Sequence, residues 1–347
     1  MSKVAMITDT HLGVRKGNEM FLQSFLDFMK KQFFPYLREN GITTILHLGD
    51  FFDNRHHINV RILHEAMELL DGEGREFTWH ILCGNHDSHY RSTIEVNSLR
   101  MFKKLSHVNI IDDIQKINVY GLDILMVPWI VDQEDFIQRV ENKNTDCEVC
   151  CGHFETMGFK LNNKAVSNNG IKSDVFFRNF KLLFSGHFHT RSMYERDGCI
   201  IQYVGNVQHL TRHDIGDDRG FTILDTDTRK YEFINNTVSQ RFVKVKFPEK
   251  FTKKEIKNNY VDVEIEYNED YDEEEVQKYL RKVEKYEPAV PPFLKIDKNF
   301  QNSEKDDYRV QSVQEIIKEY IESLQIDNKD AIFDKIENLY AECRSEV

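Results

Sequence analysis

The chain has 347 residues, with 46 Lys and Arg against 58 Asp and Glu, for a formal net charge of −12. Such a length holds one large α/β domain and a smaller appendage. The acidic balance argues against non-specific binding to polyanions, so any nucleic-acid role must rest on local basic patches, bridging metal ions or a partner protein. No apolar run approaches the roughly 20 residues of a membrane span, and no signal peptide opens the sequence. The six cysteines lack framework spacing, which points to buried, reduced thiols in a cytoplasmic protein.

In chain order, a short apolar run, VAMIT, leads into Asp9 and His11. A helical stretch over 19–40 places Phe21, Phe25, Phe28, Met29 and Phe33 on one face. TTILHLG then leads into Asp50 and Asp53, followed by a helix over 60–70 with Ile62, Leu63, Met67 and Leu70. FTWHILC leads into Gly84, Asn85, His86 and Asp87, and a third helix is expected over 92–105. EVCC ends at Gly152 and His153, and KLLFS at Gly186, His187, Phe188 and His189. Strands over 122–129, 199–204 and 221–225 make the second half β-rich. Short apolar runs bounded by Gly and polar residues read as buried strands. The alternation predicts an α/β fold layered α/β/β/α.

Past Asn236 the texture changes. Residues 242–247 and 260–267 alternate like strands with one exposed face, and a helix over 275–285 is broken by Pro288, Pro291 and Pro292. A small β-α-β cap over 237–297 is expected, then a polar linker over 298–311. The tail, 312–345, reads as a helical hairpin: Ser312 and Glu315 form a capping box, and Val313, Ile316, Ile317, Tyr320, Ile321 and Leu324 make one apolar face. Two such helices cannot bury their own faces, so they either fold back or dock on another protein.

Ligands in open α/β sheets collect beyond the carboxyl ends of strands. Five strand ends carrying Asp, Asn and His therefore point to one metal centre. Carboxylate, imidazole and amide oxygen donors suit a pair of divalent ions such as manganese. Two ions about 4 Å apart can bridge a water, lower its pKa and clamp both oxygens of an in-line phosphoryl displacement. A bridging ligand must be a carboxylate, and Asp50, in the middle of the order, is the best candidate. Singly, each motif is unremarkable: Asp-x-His and Gly-Asp are ordinary turns, and a lone His is more often structural. Their joint occurrence carries the argument.

DTHLGV, HLGDFFDNR, CGNHDSHY, CGHFE and SGHFHT, in this order, resemble the calcineurin-like metallophosphoesterase superfamily. The layout, including YVGNVQHLTRHDIGDDRGF at 203–221, is similar to the SbcD-type DNA repair nucleases, and especially to the recombination endonuclease nuclease subunits of tailed phages. The resemblance implies a four-layer metallophosphoesterase sandwich over 1–236. It implies one ion held by Asp9, His11, Asp50 and His189, and another by Asp50, Asn85, His153 and His187. Manganese is the first expectation and magnesium the second. His86 would lie beside the scissile phosphate and assist the leaving oxygen.

Where many cellular nucleases of this kind have a second His three residues after the bridging Asp, this chain has Asp53. The superfamily's phosphatases carry Asp there, so an Asp53–His86 pair is expected, with the carboxylate holding the imidazole and raising its pKa. Candidate DNA contacts are Arg15, Arg55 and His56 near the site and Lys244, Lys253 and Lys254 in the cap. The resemblance also implies an SbcC-like coiled-coil ATPase that receives the terminal helices, and a homodimer through the helices near 60–70 and 92–105. The expected activity is a metal-dependent DNA nuclease of recombination and repair, phage-encoded and acting in the host cytoplasm. The first rival is a phosphatase or cyclic-nucleotide phosphodiesterase of the same superfamily, for which Asp53 is the supporting residue. The second is a scaffold with a vestigial site, disfavoured because no ligand position is missing.

Overall fold

The computed structural model describes residues 2–90, 92–130, 132–142, 147–162, 165–266 and 273–297, with 321, 328, 329, 332, 333, 335 and 336 beyond them. The chain divides after Asp297 into two units. Among the described residues of the first, two six-stranded sheets dominate. One runs in the order β14 (Tyr231–Asn235), β13 (Gly220–Asp225), β1 (Lys3–Ile7), β2 (Thr44–His47), β3 (Thr78–Leu82) and β4 (Val108–Ile111). The other runs β11 (Ser192–Arg196), β12 (Cys199–Tyr203), β10 (Leu182–Gly186), β7 (Val149–His153), β6 (Leu122–Val127) and β5 (Gln115–Val119). Strands β1 to β4 pair in parallel, as do β6, β7, β10 and β12, while β13, β14, β5 and β11 add antiparallel edges. A small pair, β8 (Lys160–Asn162) and β9 (Ala165–Val166), lies outside the sheets.

The period of two along β1 sets the layers. Val4 and Met6 join Leu46, Leu48, Met126, Cys151 and Phe184 between the sheets, while Ala5 and Ile7 belong to the outer core. Past the short turn α1 (Val14–Gly17), that outer core is completed by α2 (Glu19–Phe28), α3 (Phe34–Glu39) and α4 (Val60–Asp71), through Phe25, Phe28, Phe34, Leu37, Ala66 and Leu70. On the far side, α5 (Gln133–Asn142) and α6 (Ser173–Asn179) bury Phe136, Val140, Val175 and Phe176. The result is the expected α/β/β/α sandwich. Cys83, Cys147, Cys150 and Cys151 are buried free thiols.

One helical expectation is met with a local irregularity, and another needs correction. The stretch over 19–40 is helical but carries a π turn, Met29–Phe33, before Pro35. Proline lacks the N–H for a continuing ladder and is tolerated in the first turn of the next segment, α3. The helix expected over 92–105 is only a 3₁₀ segment, Ser98–Lys104, burying Leu99 and Phe102. Residues before it are taken up by local bonding, with Ser88 donating to the Thr93 carbonyl at 2.7 Å and bridging to Asn97.

The cap carries more elements than expected, β-α-β-α-β in place of β-α-β. Strands β15 (Phe242–Phe247), β16 (Tyr260–Glu266) and β17 (Phe293–Asp297) pair in parallel, linked by α7 (Lys253–Ile256) and α8 (Glu273–Lys285). Val245, Phe247, Val261, Val263 and Val283 form its core. Phe242 and Tyr260 pack instead on Phe21 and Leu210, joining cap to body. The linker over 298–311 lies outside the described residues, as does most of the hairpin over 312–345. Of the latter, Ile321, Lys329, Ile332, Phe333, Lys335 and Ile336 are helical.

Candidate metal centre

The carboxyl ends of β1, β2 and β3 on one sheet and of β7 and β10 on the other open onto the same space. The first two loops are laced together: Asp9 N–H donates to Gly49 O at 3.0 Å, His11 N–H to Asp50 O at 3.1 Å, and Leu12 N–H to Phe51 O at 2.9 Å. This lacing holds Asp9, His11 and Asp50 at positive φ of 50°, 43° and 54°, with His187 at 84°. Such backbone is unfavourable for residues other than Gly and persists where the surroundings impose it, characteristically at functional sites. Glycine is required alongside. Gly49 has φ +98°, and a Cβ there would meet His153 Nδ1 at 2.4 Å; one on Gly84 would meet the Asp50 carboxylate at 2.2 Å.

All seven expected ligand residues converge. His11 Nε2 and His189 Nε2 face each other at 3.0 Å, with Asp9 Oδ1 4.0 Å and Asp50 Oδ2 3.7 Å from His11. On the other side, His153 Nε2 lies 3.4 Å from Asp50 Oδ1, and both His153 Nε2 and His187 Nδ1 lie 3.0 Å from Asn85 Oδ1. Asp50 thus stands between two groups of donors, one on each oxygen. Asp9, His11, Asp50 and His153 are all buried.

The donor chemistry fits a cation. His153 Nδ1 lies 2.7 Å from the Leu48 carbonyl, a partner that only accepts, so Nδ1 carries the hydrogen. In the neutral ring Nε2 then presents a lone pair to Asn85 Oδ1, itself an acceptor. Two acceptors at 3.0 Å repel unless a positive charge lies between them. Without a metal ion, a proton on His153 supplies that positive charge, and the carboxylates favour it. Burial opposes charge on His153, yet the Asp50 carboxylate raises its pKa to about 9, with Asp9 adding. Burial would raise Asp50, but His153, His11 and His86 hold it well below the usual carboxylate range. His187 is pushed down to about 3 by burial, with His153 adding.

The Asp53–His86 expectation is corrected. His86 Nδ1 donates to the backbone carbonyl of Asp53 at 2.5 Å, while the Asp53 carboxylate lies 3.4 Å from His11 Nδ1. The loop turns Asp53 toward its neighbour in the laced pair, and the main chain orients His86. His86 N–H also donates to Asp50 Oδ1 at 2.8 Å.

Some contributors escaped the sequence reading. The Asp87 carboxylate is buried and accepts from the backbone N–H groups of Phe51, Phe52 and Gly84 at 2.9–3.2 Å, tying two loops together. Burial and the neighbouring Asp50 raise its pKa to about 7 against those donors. Trp129, just past the end of β6, has its ring 5.0 Å from that of His187. It closes the strand expected over 122–129, and an aromatic at that strand's carboxyl end is the available signal. Arg219 is buried and donates to the His189 carbonyl. In the sequence, residues 203–221 stand out only by their resemblance.

The basic candidates divide. Arg15 Nε donates to Leu210 O at 3.0 Å and its guanidinium lies over Phe21 and Phe242, at the joint between body and cap. Lys244 is paired with Glu264 at 3.4 Å. Lys253 and Lys254 are exposed on α7, and His56 is exposed beside the metal loop, its ring 5.0 Å from that of His89. Arg55 is half-buried on the same loop.

This fold and centre define a metallophosphoesterase. The model of the calcineurin-like phosphoesterase family matches residues 2–191, and the chain belongs to that family. It is therefore a hydrolase acting on phosphodiester bonds, of a family that uses divalent metal ions. The chain is 30% identical over an aligned length of 353 residues to exonuclease subunit 1 of Enterobacteria phage T4, covering 98% of this chain and 99% of the relative. It is 22% identical over 250 residues to the DNA double-strand break repair protein Mre11 of Sulfolobus acidocaldarius, covering 68% of this chain and 64% of the relative. To the protein of the same name from Sulfurisphaera tokodaii it is 24% identical over 258 residues, covering 70% and 65%. Among the described residues no helix is long and apolar enough to cross a membrane.

Proposed function

We propose that the protein is a metal-dependent DNA nuclease, the nuclease subunit of an SbcCD-like recombination and repair complex encoded by a phage and acting in the host cytoplasm. The observation that carries this reading is the gathering of Asp9, His11, Asn85, His153, His187 and His189 around Asp50 from five strand ends. It is supported by similarity to a phage exonuclease subunit along almost the whole of both chains.

Asp9, His11, Asp50 and His189 would hold one ion, and Asp50, Asn85, His153 and His187 the other, with manganese preferred to magnesium. Such a pair supplies a nucleophile at neutral pH and charge stabilisation at phosphorus. The protein's own groups do the rest. Asp50 separates the two donor sets and Asp87 fixes the loops. His86, its Nδ1–H held by the Asp53 carbonyl, keeps Nε2 for exchanging a proton with the leaving 3′ oxygen. Lys253, Lys254, Arg55 and His56 are the candidate backbone contacts, whereas Lys244 and Arg15 are already engaged.

A homodimer through α4 and the neighbouring 3₁₀ segment accords with the exposure there of Val60, Val96 and Met101, at 82%, 52% and 39%. The terminal helices would bind the coiled coil of an SbcC-like ATPase. The alternative is a phosphatase or cyclic-nucleotide phosphodiesterase of the same superfamily, and the contact of the Asp53 carboxylate with His11 Nδ1 at 3.4 Å does not add to its support. Labelled linear duplex and a nitrophenyl phosphodiester, each offered in manganese and in magnesium with and without the ATPase, test the reading. Metal-dependent degradation of the duplex is expected. Turnover of the small ester alone under every condition would contradict it.

A further inference from the structure

The segment after the last donor loop does more than close the sheet. The Arg219 side chain is 2% accessible, and its guanidinium reaches three groups at once. Nη1 donates to the carbonyl of His189, and Nη2 donates to Asp214 Oδ1 at 2.8 Å and Asp217 Oδ2 at 3.1 Å. The His189 carbonyl also accepts from Asn206 N–H at 3.2 Å. Asp217 Oδ2 accepts in turn from Thr190 Oγ1 at 3.2 Å, so the residue after His189 is held by the same carboxylate.

The other end of this network belongs to the cap. The Asp217 carbonyl accepts from Arg241 Nη2 at 3.1 Å and from His209 Nε2 at 2.9 Å. His209 Nδ1 accepts from the N–H of Phe242, the first residue of β15, at 3.2 Å. Arg241 Nη2 also donates to Asp218 Oδ1 at 3.0 Å. A hydrogen-bonded route from His189 to the first cap strand thus runs through Arg219, Asp217 and the two side chains that bond the Asp217 carbonyl.

From these contacts we infer that Arg219 is a positioning residue for His189, tied through Asp217 to the cap, so that the donor set containing His189 is set by the cap's seating. The inference rests on the metal-binding reading of the centre but not on DNA as the substrate. A buried guanidinium spanning a carbonyl and two carboxylates fixes the backbone of a loop in a way that one hydrogen bond cannot, because its donor fork is planar and rigid. Among the described residues no buried guanidinium holds the loops of Asn85 and His153, which are held by Asp87 and by the Leu48 carbonyl. Disturbing Arg219 should therefore affect one donor set and leave the other.

The test is manganese titration of the full-length, metal-free protein by calorimetry, with electron paramagnetic resonance to read the coupling of the two ions. In Arg219→Met, affinity at one of the two sites should fall about 10–100-fold, the range seen when a ligand's outer partner is lost. The spin-coupled signal should weaken, and the second site should hold its affinity. Arg219→Lys should restore part of the loss. If Arg219→Met fails to fold, Arg241→Gln carries the test from the cap side, leaving Arg219 and its carboxylates intact. A several-fold loss confined to the same site is expected there. Unchanged affinity at both sites in folded Arg219→Met, equal weakening of both, or an Arg241→Gln variant identical to the parent would each overturn the inference. A parent protein that binds no pair of ions would overturn the underlying reading of the centre, a distinct result.

Discussion

His86 is oriented by the main chain of Asp53: its Nδ1 donates to that residue's carbonyl at 2.5 Å, while the Asp53 carboxylate stands 3.4 Å from His11 Nδ1. One residue thus serves both an acid–base candidate and a ligand candidate, through different atoms. Replacing Asp53 by Asn keeps the carbonyl and removes the charge beside His11. The expected effect is a metal affinity lower by about tenfold, with kcat recovered at saturating manganese. Metal-dependence curves for parent and variant check this. A kcat that stays low at saturation would show that the carboxylate acts on His86 after all.

His86 itself should matter in proportion to how badly the leaving group needs a proton. The 3′ alkoxide of DNA is a poor leaving group, whereas nitrophenolate departs unaided. In His86→Gln, kcat on duplex DNA is expected to fall by about 10²-fold or more. On a bis(nitrophenyl) phosphodiester the loss should be about tenfold or less. Equal losses on the two substrates would assign His86 to phosphate binding.

The five strand ends were legible because a buried strand followed by Gly and metal-type donors is a local pattern. Hence Asp9, Asp50, Asn85, His153 and His187 were found with their strands. What sequence could not convey was orientation. The positive φ at Asp50 and the lacing of its loop to residues 9–12 decide where the Asp53 carboxylate points, and these are tertiary facts. Arg219 was invisible for a similar reason: its three acceptors come from residues 189, 214 and 217, and no spacing rule joins them. Strand β17 is hidden by the prolines before it, which mark its start but in the sequence signal only the break of a helix. The 92–105 segment misled because Leu99 and Phe102 suit a 3₁₀ turn as well as a helix.

The joint between body and cap should weaken in mild acid. Burial pushes the His209 imidazole down to about 4, with the Asp217 carbonyl opposing and Arg219 and Arg241 adding to the fall. The folded pKa lies below the unfolded one, so the unfolded state takes up the proton first as pH drops. The stabilisation is complete above about pH 6.5 and is lost as pH falls toward about 4, amounting to roughly 3 kcal/mol. Urea melts of metal-free parent and His209→Gln at pH 7.5 and pH 5 measure it. The parent should lose more stability than the variant across that interval. Parallel losses would show that His209 does not titrate in this way.

Removing residues 312–347 should abolish co-purification with the coiled-coil ATPase and spare metal-dependent hydrolysis of a small phosphodiester. The reason is the sequence spacing of Val313, Ile316, Ile317, Tyr320 and Leu324, which is that expected of one apolar helix face. Association that survives the deletion would place the ATPase contact elsewhere on the chain.

Everything turns on whether two cations sit on either side of Asp50. An anomalous-scattering map from crystals soaked in manganese is the direct measurement. Two peaks about 4 Å apart are expected, one within bonding distance of Asp9, His11, Asp50 and His189, the other of Asp50, Asn85, His153 and His187. A single peak, a pair elsewhere, or none would contradict the account.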